Sequence, residues 1–419
     1  MVKLNYLKNK QIYIHKVLKK KIYNYNKKKI NTIVSNFCYP CTWYENFGYY
    51  NLKYNFSEKS IKNLIKYLVF FIKDVFLVSI IPSYKLYVKK KNKKKSKTLL
   101  ITWGGSENFN FKGKYKDRKF SNIDNYNNLI IASDSLRNSK YKSQDLVIYR
   151  DSEKKFFLFF LIKNVCLFVI KNNFSVLKFI HHFNVYYFYS LWFEDKIIQY
   201  LKNNKINRIK INYEGQPFQN YFISSLKKKY PNIIIEAYIF ATQPLPLHLL
   251  FNNQKIDRII VYERQIMYQL INRLGWNKKL IKYQKSNKNS KRDFRNKIFI
   301  GYGVNDPKKM LLIFEKLVKK EKIYFERKDI MPHPVMKDTF KHKFLLNGII
   351  DIINGLKKSK KKTVIVFGST AIIPEILKEE KEVIQINNDI IIESYTSYFW
   401  PYIKEKVIYK NVVKYSKNY

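Results

Sequence analysis

From residue 98 onward, short apolar runs rich in β-branched residues alternate with stretches of helical spacing, and this alternation constrains the fold more than any other feature. The run Thr98–Trp103 breaks at Gly104-Gly105, and Asn128–Ala132 and Leu146–Tyr149 are similar short strands. Asn207–Asn212 is followed at once by Tyr213-Glu214-Gly215-Gln216-Pro217, after which Phe218, Phe222 and Leu226 share one helical face. Ile233–Phe240 closes at Thr242-Gln243-Pro244-Leu245-Pro246. A second set follows: Arg258–Tyr262 with a helix ending near Gly275, a polar loop over Lys282–Lys297, then Lys297–Ile300 striking Gly301-Tyr302-Gly303. Asp306-Pro307 reads as an N-cap with proline at the first helical position, and the helix runs through Lys320. Lys322–Phe325 reads as a strand leading to Met331-Pro332-His333-Pro334, and Thr363–Phe367 as one leading to Gly368-Ser369-Thr370 and a helix over Ile373–Lys378. Glu382–Ile386 is a further strand.

Strands alternating with helices of this length predict an α/β fold with parallel sheets. The expected architecture is two Rossmann-like domains facing a cleft, over 97–245 and 246–395. An N-terminal extension of amphipathic helices (1–96) precedes them and a basic tail with a helix (396–419) follows. Ser60–Val88 reads as one or two helices ended near Pro82, and the lysine run 89–97 as a solvated linker at the domain boundary.

Charge narrows the class of partner without naming it. The chain has 419 residues with 81 Lys+Arg against 31 Asp+Glu, a net charge of +50, and 46% hydrophobic residues exclude wholesale disorder. Part of the lysine excess follows AT-rich coding, which also favours Asn, Ile, Tyr and Phe. The scarcity of acids is not explained that way, so an anionic partner is expected: nucleic acid, an anionic membrane face or a phosphorylated substrate. Three cysteines are too few to staple a secreted chain of this size, which points to a reducing compartment. Cys38 and Cys41 have C-x-x-C spacing but lack a second half for zinc. No signal-like apolar core opens the sequence, and no uninterrupted apolar run is long enough to span a bilayer. The expected location is cytoplasmic, peripheral on the inner face of the membrane.

In open parallel sheets ligands sit beyond the carboxyl ends of strands, so the residues just after each strand are the candidates. Glu214 fits a general base on a hydroxyl and equally a helix-start acid favoured by the macrodipole. His333, fixed between two prolines, suits a phosphate ligand or proton donor, or a plain turn histidine. Gly368-Ser369-Thr370 forms a small-residue turn able to present N–H groups and hydroxyls to an anion. Gly301 and Gly303, like Gly104 and Gly105, allow close approach to a ligand or merely reverse the chain. His181-His182 reads as packing. There is no P-loop, G-x-G-x-x-G, H-E-x-x-H or G-x-S-x-G, so a bound dinucleotide, resident cofactor or metal is not expected.

Taken together, an acidic-Gly pair after a strand, an HP dipeptide midway through the second set and a Ser/Thr turn about 35 residues later resemble the bacterial sialyltransferase and polysialyltransferase group. The layout is also similar to capsule and lipopolysaccharide surface-carbohydrate synthesis proteins of the GT-B class. The resemblance implies an inverting, metal-independent glycosyltransferase. It would take a nucleotide-activated, often CMP-linked, sugar donor and a lipid-linked or other glycan acceptor. It implies Glu214 as the base on the acceptor, with Gly104, Gly105 and Gly215 on the acceptor side. His333, Pro334, Ser369, Thr370, Gly301 and Gly303 would lie about the donor phosphate. Two positions depart from the pattern: Tyr213 stands where an acid is usual, and Met331 where a basic residue often precedes the proline, leaving Lys328 or Lys337 to supply charge. The alternative is a nucleic-acid-binding or modifying protein using its basic surface. A third reading is an assembly partner that kept the fold without the chemistry.

Overall fold

In the computed structural model the described residues are 6–27, 84–87, 97–104, 120, 127–132, 146–150, the helical positions 163, 166, 167 and 170, 185–202, 204–215, 217–240, 242–250, 255–285, 293–301, 304–332, 339–356, 363–379 and 382–418. The chain divides into two compact units, one of Leu18–Phe240 with His248–Lys285, the other of Met1–Val17, Ala241–Leu247 and Ser286–Tyr419.

The first unit is built on an eight-stranded sheet of β1 (Tyr84–Tyr87), β2 (Thr98–Gly104), β3 (Asn127–Ala132), β4 (Leu146–Arg150), β5 (Arg208–Asn212), β6 (Ile234–Ile239), β7 (Arg258–Val261) and β8 (Ile281–Tyr283). The order is β1-β4-β3-β2-β5-β6-β7-β8, with β1 antiparallel to β4 and every other pairing parallel. Counted from β2, the parallel strands run 3-2-1-4-5-6-7, the doubly wound order of dinucleotide-binding folds. Strands covered on both faces read as continuous apolar runs, and Leu99, Leu100 and Ile101 are all buried. Helices α2 (Val185–Lys202) and α3 (Pro217–Lys229) pack together, with Phe222, Ile223 and Leu226 of α3 buried. Glu194 of α2 accepts from Ser225 and Lys229, so its buried carboxylate is paired.

The second unit carries a six-stranded sheet of β9 (Ile298–Ile300), β10 (Ile330–Pro332), β11 (Ile365–Phe367), β12 (Glu382–Ile386), β13 (Ile403–Tyr409) and β14 (Val412–Lys417), in the order β10-β9-β11-β12-β14-β13. The first four are parallel, and the last two form an antiparallel hairpin added to β12. Alternate strand residues, Ile298 and Ile300, Ile365 and Phe367, Ile384 and Ile386, form one core with Phe314 and Leu317 of α5 (Pro307–Glu321) and Leu345 and Ile349 of α6 (Phe340–Asn354). A short α4 (Arg264–Tyr268) lies in the first unit, and α7 (Ile373–Glu379) and α8 (Ile390–Glu393) in the second. As its sequence predicts, α5 begins at Pro307 with the Asp306 carboxylate accepting from Lys309 N at 3.1 Å.

Several elements differ from the sequence expectation. The stretch 248–285 belongs to the first unit: β7 and β8 continue its sheet by hydrogen bonding beside β6, across the boundary expected at 245/246. The proline pair there marks a detour, in which Pro244 accepts from Trp400 Nε1 within the second unit. The expected helix over the C-terminal tail is the β13–β14 hairpin. Its turn places Asn411 at φ 70, and Val412, Val413 and Tyr415 are buried in the sheet. Tyr84–Tyr87, just past Pro82, near which the helices of Ser60–Val88 are expected to end, is edge strand β1. Lys322–Phe325, read as a strand, follows a left-handed Lys322 that ends α5, and the strand is instead Ile330–Pro332.

The basic N-terminal segment does form a helix, α1 (Tyr6–Lys27), with Leu7, Gln11, His15 and Leu18 buried along one side. Gln11 is fully buried, its Nε2 donating to the carbonyls of Ile391 and Ser394 at 2.7 Å each and its Oε1 accepting from Thr396 Oγ1. Gln11→Ala strands three polar groups, two of them in fully buried bonds, and the expected loss is about 2 kcal/mol of unfolding free energy by chemical denaturation.

Candidate functional site

Each sheet has one point where the chain reverses its direction of travel across the strands, and connections part there to leave a crevice beyond the carboxyl ends. In the first sheet this point lies between β2 and β5, because β2 leads to β3 on one side and β5 to β6 on the other. The register Ile101↔Ile211 sets the residues after β5 level with the end of β2, where Gly104 is the last strand residue. Gly105 lies outside the described residues.

Tyr213 extends the ladder by one bond, its N–H donating to Tyr238 O at 2.9 Å. Its ring is buried edge-on to Trp276, its hydroxyl donates to Asn220 Oδ1, and burial pushes the phenol well above its ordinary range. It is a neutral structural residue, and the carboxylate at this turn is that of half-buried Glu214. Gly215 follows at φ 67, a conformation other residues enter at a cost. Two amides of the first turn of α3 brace this loop. Gln219 accepts from Glu214 N at 2.9 Å and donates to Asn212 O at 2.8 Å, and Asn220 donates to Gly215 O at 3.1 Å. The backbone of Glu214 is thereby fixed at the crevice.

In the second sheet the reversal lies between β9 and β11, and the registers Pro332↔Ile300, Ile300↔Phe367 and Phe367↔Ile386 align the four carboxyl ends in one row. Gly301 and Gly368 are the residues that leave β9 and β11. Gly301 N donates to Phe367 O at 2.8 Å, and a Cβ here would collide with the carbonyl oxygens of Phe367 and Ser369. Its own carbonyl accepts from buried His342 Nε2 at 3.0 Å, while Nδ1 lies 2.8 Å from Thr339 Oγ1. A carbonyl cannot donate, so Nε2 carries a proton and donates to Gly301 O.

Gly368, at φ 67, donates to Ile386 O and accepts from Gln385 Nε2, both at 2.8 Å. Tyr415 hydroxyl donates to Gln385 Oε1 at 2.6 Å, and Tyr395 hydroxyl to Thr370 O at 2.6 Å. Ser369, itself buried, donates to Gln243 Oε1 at 3.3 Å. The Thr370 hydroxyl oxygen accepts from Ile372 N at 3.3 Å. The loop after β12 is tied in by Asn388, whose Oδ1 accepts from both Asn305 N and Asp306 N at 3.1 Å. Asn388 also donates from N at 2.8 Å and Nδ2 at 3.1 Å to the two oxygens of Glu393. Burial pushes the Glu393 carboxyl up to about 8, against the opposing pull of the Asn388 bonds.

The structure thus brings Gly301, Gly368, Ser369 and Thr370 together, and separately sets Glu214 and Gly215 at the first crevice. Gly303, His333, Pro334 and Lys337 lie outside the described residues, as do Cys38, Cys41, His181 and His182. Pro332 ends β10 and exposed Met331 precedes it. Lys328 is paired with Glu326 at 2.6 Å. Among the described residues no group of three His, Cys, Asp or Glu side chains is placed to hold a metal ion. No helix among them is long and apolar enough to cross a membrane. Sequence reasoning missed the braces: Gln219, Asn220, His342, Gln385, Asn388, Glu393, Tyr395 and Tyr415. One signal was available, since Gln385 interrupts the apolar run Val383–Ile386 and is fully buried.

No protein-family model matches the chain, and a comparison with curated proteins finds no match either. Among solved structures the chain is similar to a glycosyltransferase from Rickettsia africae ESF-5, at 12% identity over 71% of this chain and 86% of that one, with a TM-score of 0.32.

Glu393 gives this region a signature in pH. Its carboxyl keeps its proton to about pH 8 in the folded chain, whereas the unfolded chain ionises near the ordinary value of 4.5. Between those limits the folded state binds more protons, so this group's contribution to stability falls as pH rises. Glu393→Gln is expected to melt increasingly above the wild type between pH 5 and pH 8. Parallel melting profiles would contradict this.

Proposed function

We propose that the chain is an inverting, metal-independent glycosyltransferase of the GT-B kind. It moves a sugar from a nucleotide-activated donor, of which a CMP-linked sugar is the leading case, to a cell-surface glycan or lipid-linked acceptor at the inner face of the membrane. The observation that carries the reading is the braced turn Gly368-Ser369-Thr370 against Gly301 at the β9/β11 reversal, where small residues, hydroxyls and close backbone suit a phosphate. The first sheet offers the complementary chemistry, with one carboxylate, Glu214, on a fixed backbone at its own reversal. The acceptor side is assigned to the first unit, with Gly104, Gly105 and Gly215, and the donor side to the second.

In this reading Glu214 takes the proton of an acceptor hydroxyl as its oxygen attacks the anomeric carbon. The carbon–oxygen bond to the nucleotide phosphate breaks on the opposite face, and the electron pair leaves on a phosphate oxygen. The Thr370 hydroxyl and that of Ser369, which must exchange its bond to Gln243 for one to the donor, with His333 and Pro334 after β10 and Gly303 after Gly301, are assigned to that phosphate, and His333 to its proton. The rigidity of both loops supplies orientation, which a diffusing base or hydroxyl would lack.

Glu214→Gln is expected to lower transfer roughly 10²-fold or more while leaving donor-induced thermal stabilisation unchanged. Ser369→Ala with Thr370→Val is expected to abolish that stabilisation, read as the melting shift in a panel of CMP, UDP, GDP and CDP. Full transfer by the Glu214 variant, or an unchanged shift in the double variant, contradicts the assignment.

The net charge of +50 favours a second reading, a nucleic-acid-binding or modifying protein. It requires tight binding to an oligonucleotide with a steep dependence on salt.

A further inference from the structure

The outward side of α1 is both basic and aromatic. The helix carries seven lysines, no acid and no arginine over 22 residues, a rod of about 33 Å. Leu7, Gln11, His15 and Leu18 hold it by one side, with His15 Nδ1 3.0 Å from the Tyr398 hydroxyl. The opposite side presents Tyr6, Tyr13 and Tyr23 at 53%, 58% and 59% exposure, interleaved with exposed Lys10, Lys16 and Lys20. At 100° per residue these six fall within one sector facing away from the buried stripe.

We propose that this face of α1 docks the protein on an anionic lipid bilayer, lying in the plane of the headgroups. Tyrosine rings with an apolar body and a polar tip partition to the headgroup level, and the lysines reach past them to anionic phosphates. A buried glutamine and histidine fix the helix from behind, so the docking face is preformed. Nucleic acid is a poorer match to a convex rod without arginine, since backbone tracking on single strands uses a positively charged groove. The inference deepens the peripheral-membrane element of the proposed function and rests on it only for why a transferase would need the surface.

The test is co-sedimentation of the full chain with vesicles of phosphatidylcholine alone and of phosphatidylcholine with phosphatidylglycerol. Wild type is expected to bind the anionic vesicles and not the neutral ones. Lys10→Glu/Lys16→Glu/Lys20→Glu is expected to weaken binding by at least about tenfold. A control of identical net charge, Lys278→Glu/Lys279→Glu/Lys282→Glu, changes exposed lysines elsewhere and is expected to bind as wild type. Tyr6→Ser/Tyr13→Ser/Tyr23→Ser, which keeps every charge, is expected to lose the part of binding that survives high salt. Equal losses in helix and control variants, or no loss in either, would overturn the proposal. So would an α1 variant that loses binding to an oligonucleotide while vesicle binding stays intact. Melting midpoints near wild type show that the variants are folded. Vesicle binding needs no donor, and the nucleotide thermal shift needs no vesicles, so the docking face and the transferase reading fail separately.

Discussion

At the carboxyl edge of the second sheet the backbone of Gly301 lies against the carbonyls of Phe367 and Ser369, closer than a Cβ permits. That contact closes the end of β9 onto β11, and much of the second unit's edge is arranged around it. His342 holds the Gly301 carbonyl from α6, Gln385 and Tyr415 hold Gly368 from β12 and β14, and Tyr395 holds Thr370. Asn388 carries the same brace across to the residues that start α5. Buried polar groups are costly unless satisfied, and once satisfied they specify one geometry. The result is a turn whose small residues and hydroxyls are positioned before any ligand arrives.

The two reversal points were legible as chemistry before they were legible as topology. Glycines and a Ser/Thr pair after apolar runs marked Gly301, Gly368 and Ser369, and Tyr213-Glu214-Gly215 marked the first crevice. Pairing was not legible. Nothing local in Arg258–Val261 says that it extends the first sheet, because a parallel strand's neighbour is chosen by distant packing. The tail 403–417 combined lysines with β-branched and aromatic residues, and it became a hairpin once Asn411 could turn. The bracing side chains were hidden for a related reason. Gln219 and Asn220 look like ordinary polar residues at a helix start, and only the fold shows that they face inward onto 212–215.

Charge has become a more local property than its total suggests. Among the described residues some lysines are committed to acids, as Lys227 is to Asp257 and Lys297 to Asp329. Those of α1 stand on a helix with no acid of its own and share one side with exposed tyrosines. The helix α1 is thus one basic and aromatic surface within that excess, while the candidate chemistry rests on turns that carry little charge.

Under the proposed function the β9/β11 reversal binds the phosphate of a nucleotide. Hydrogen–deuterium exchange of the whole protein with and without CMP tests it most directly, with UDP, GDP and CDP as the comparison set. Slowed exchange over 301–306 and 368–372 is expected with at least one of them. Protection confined to other segments, or none with any of the four, would contradict it.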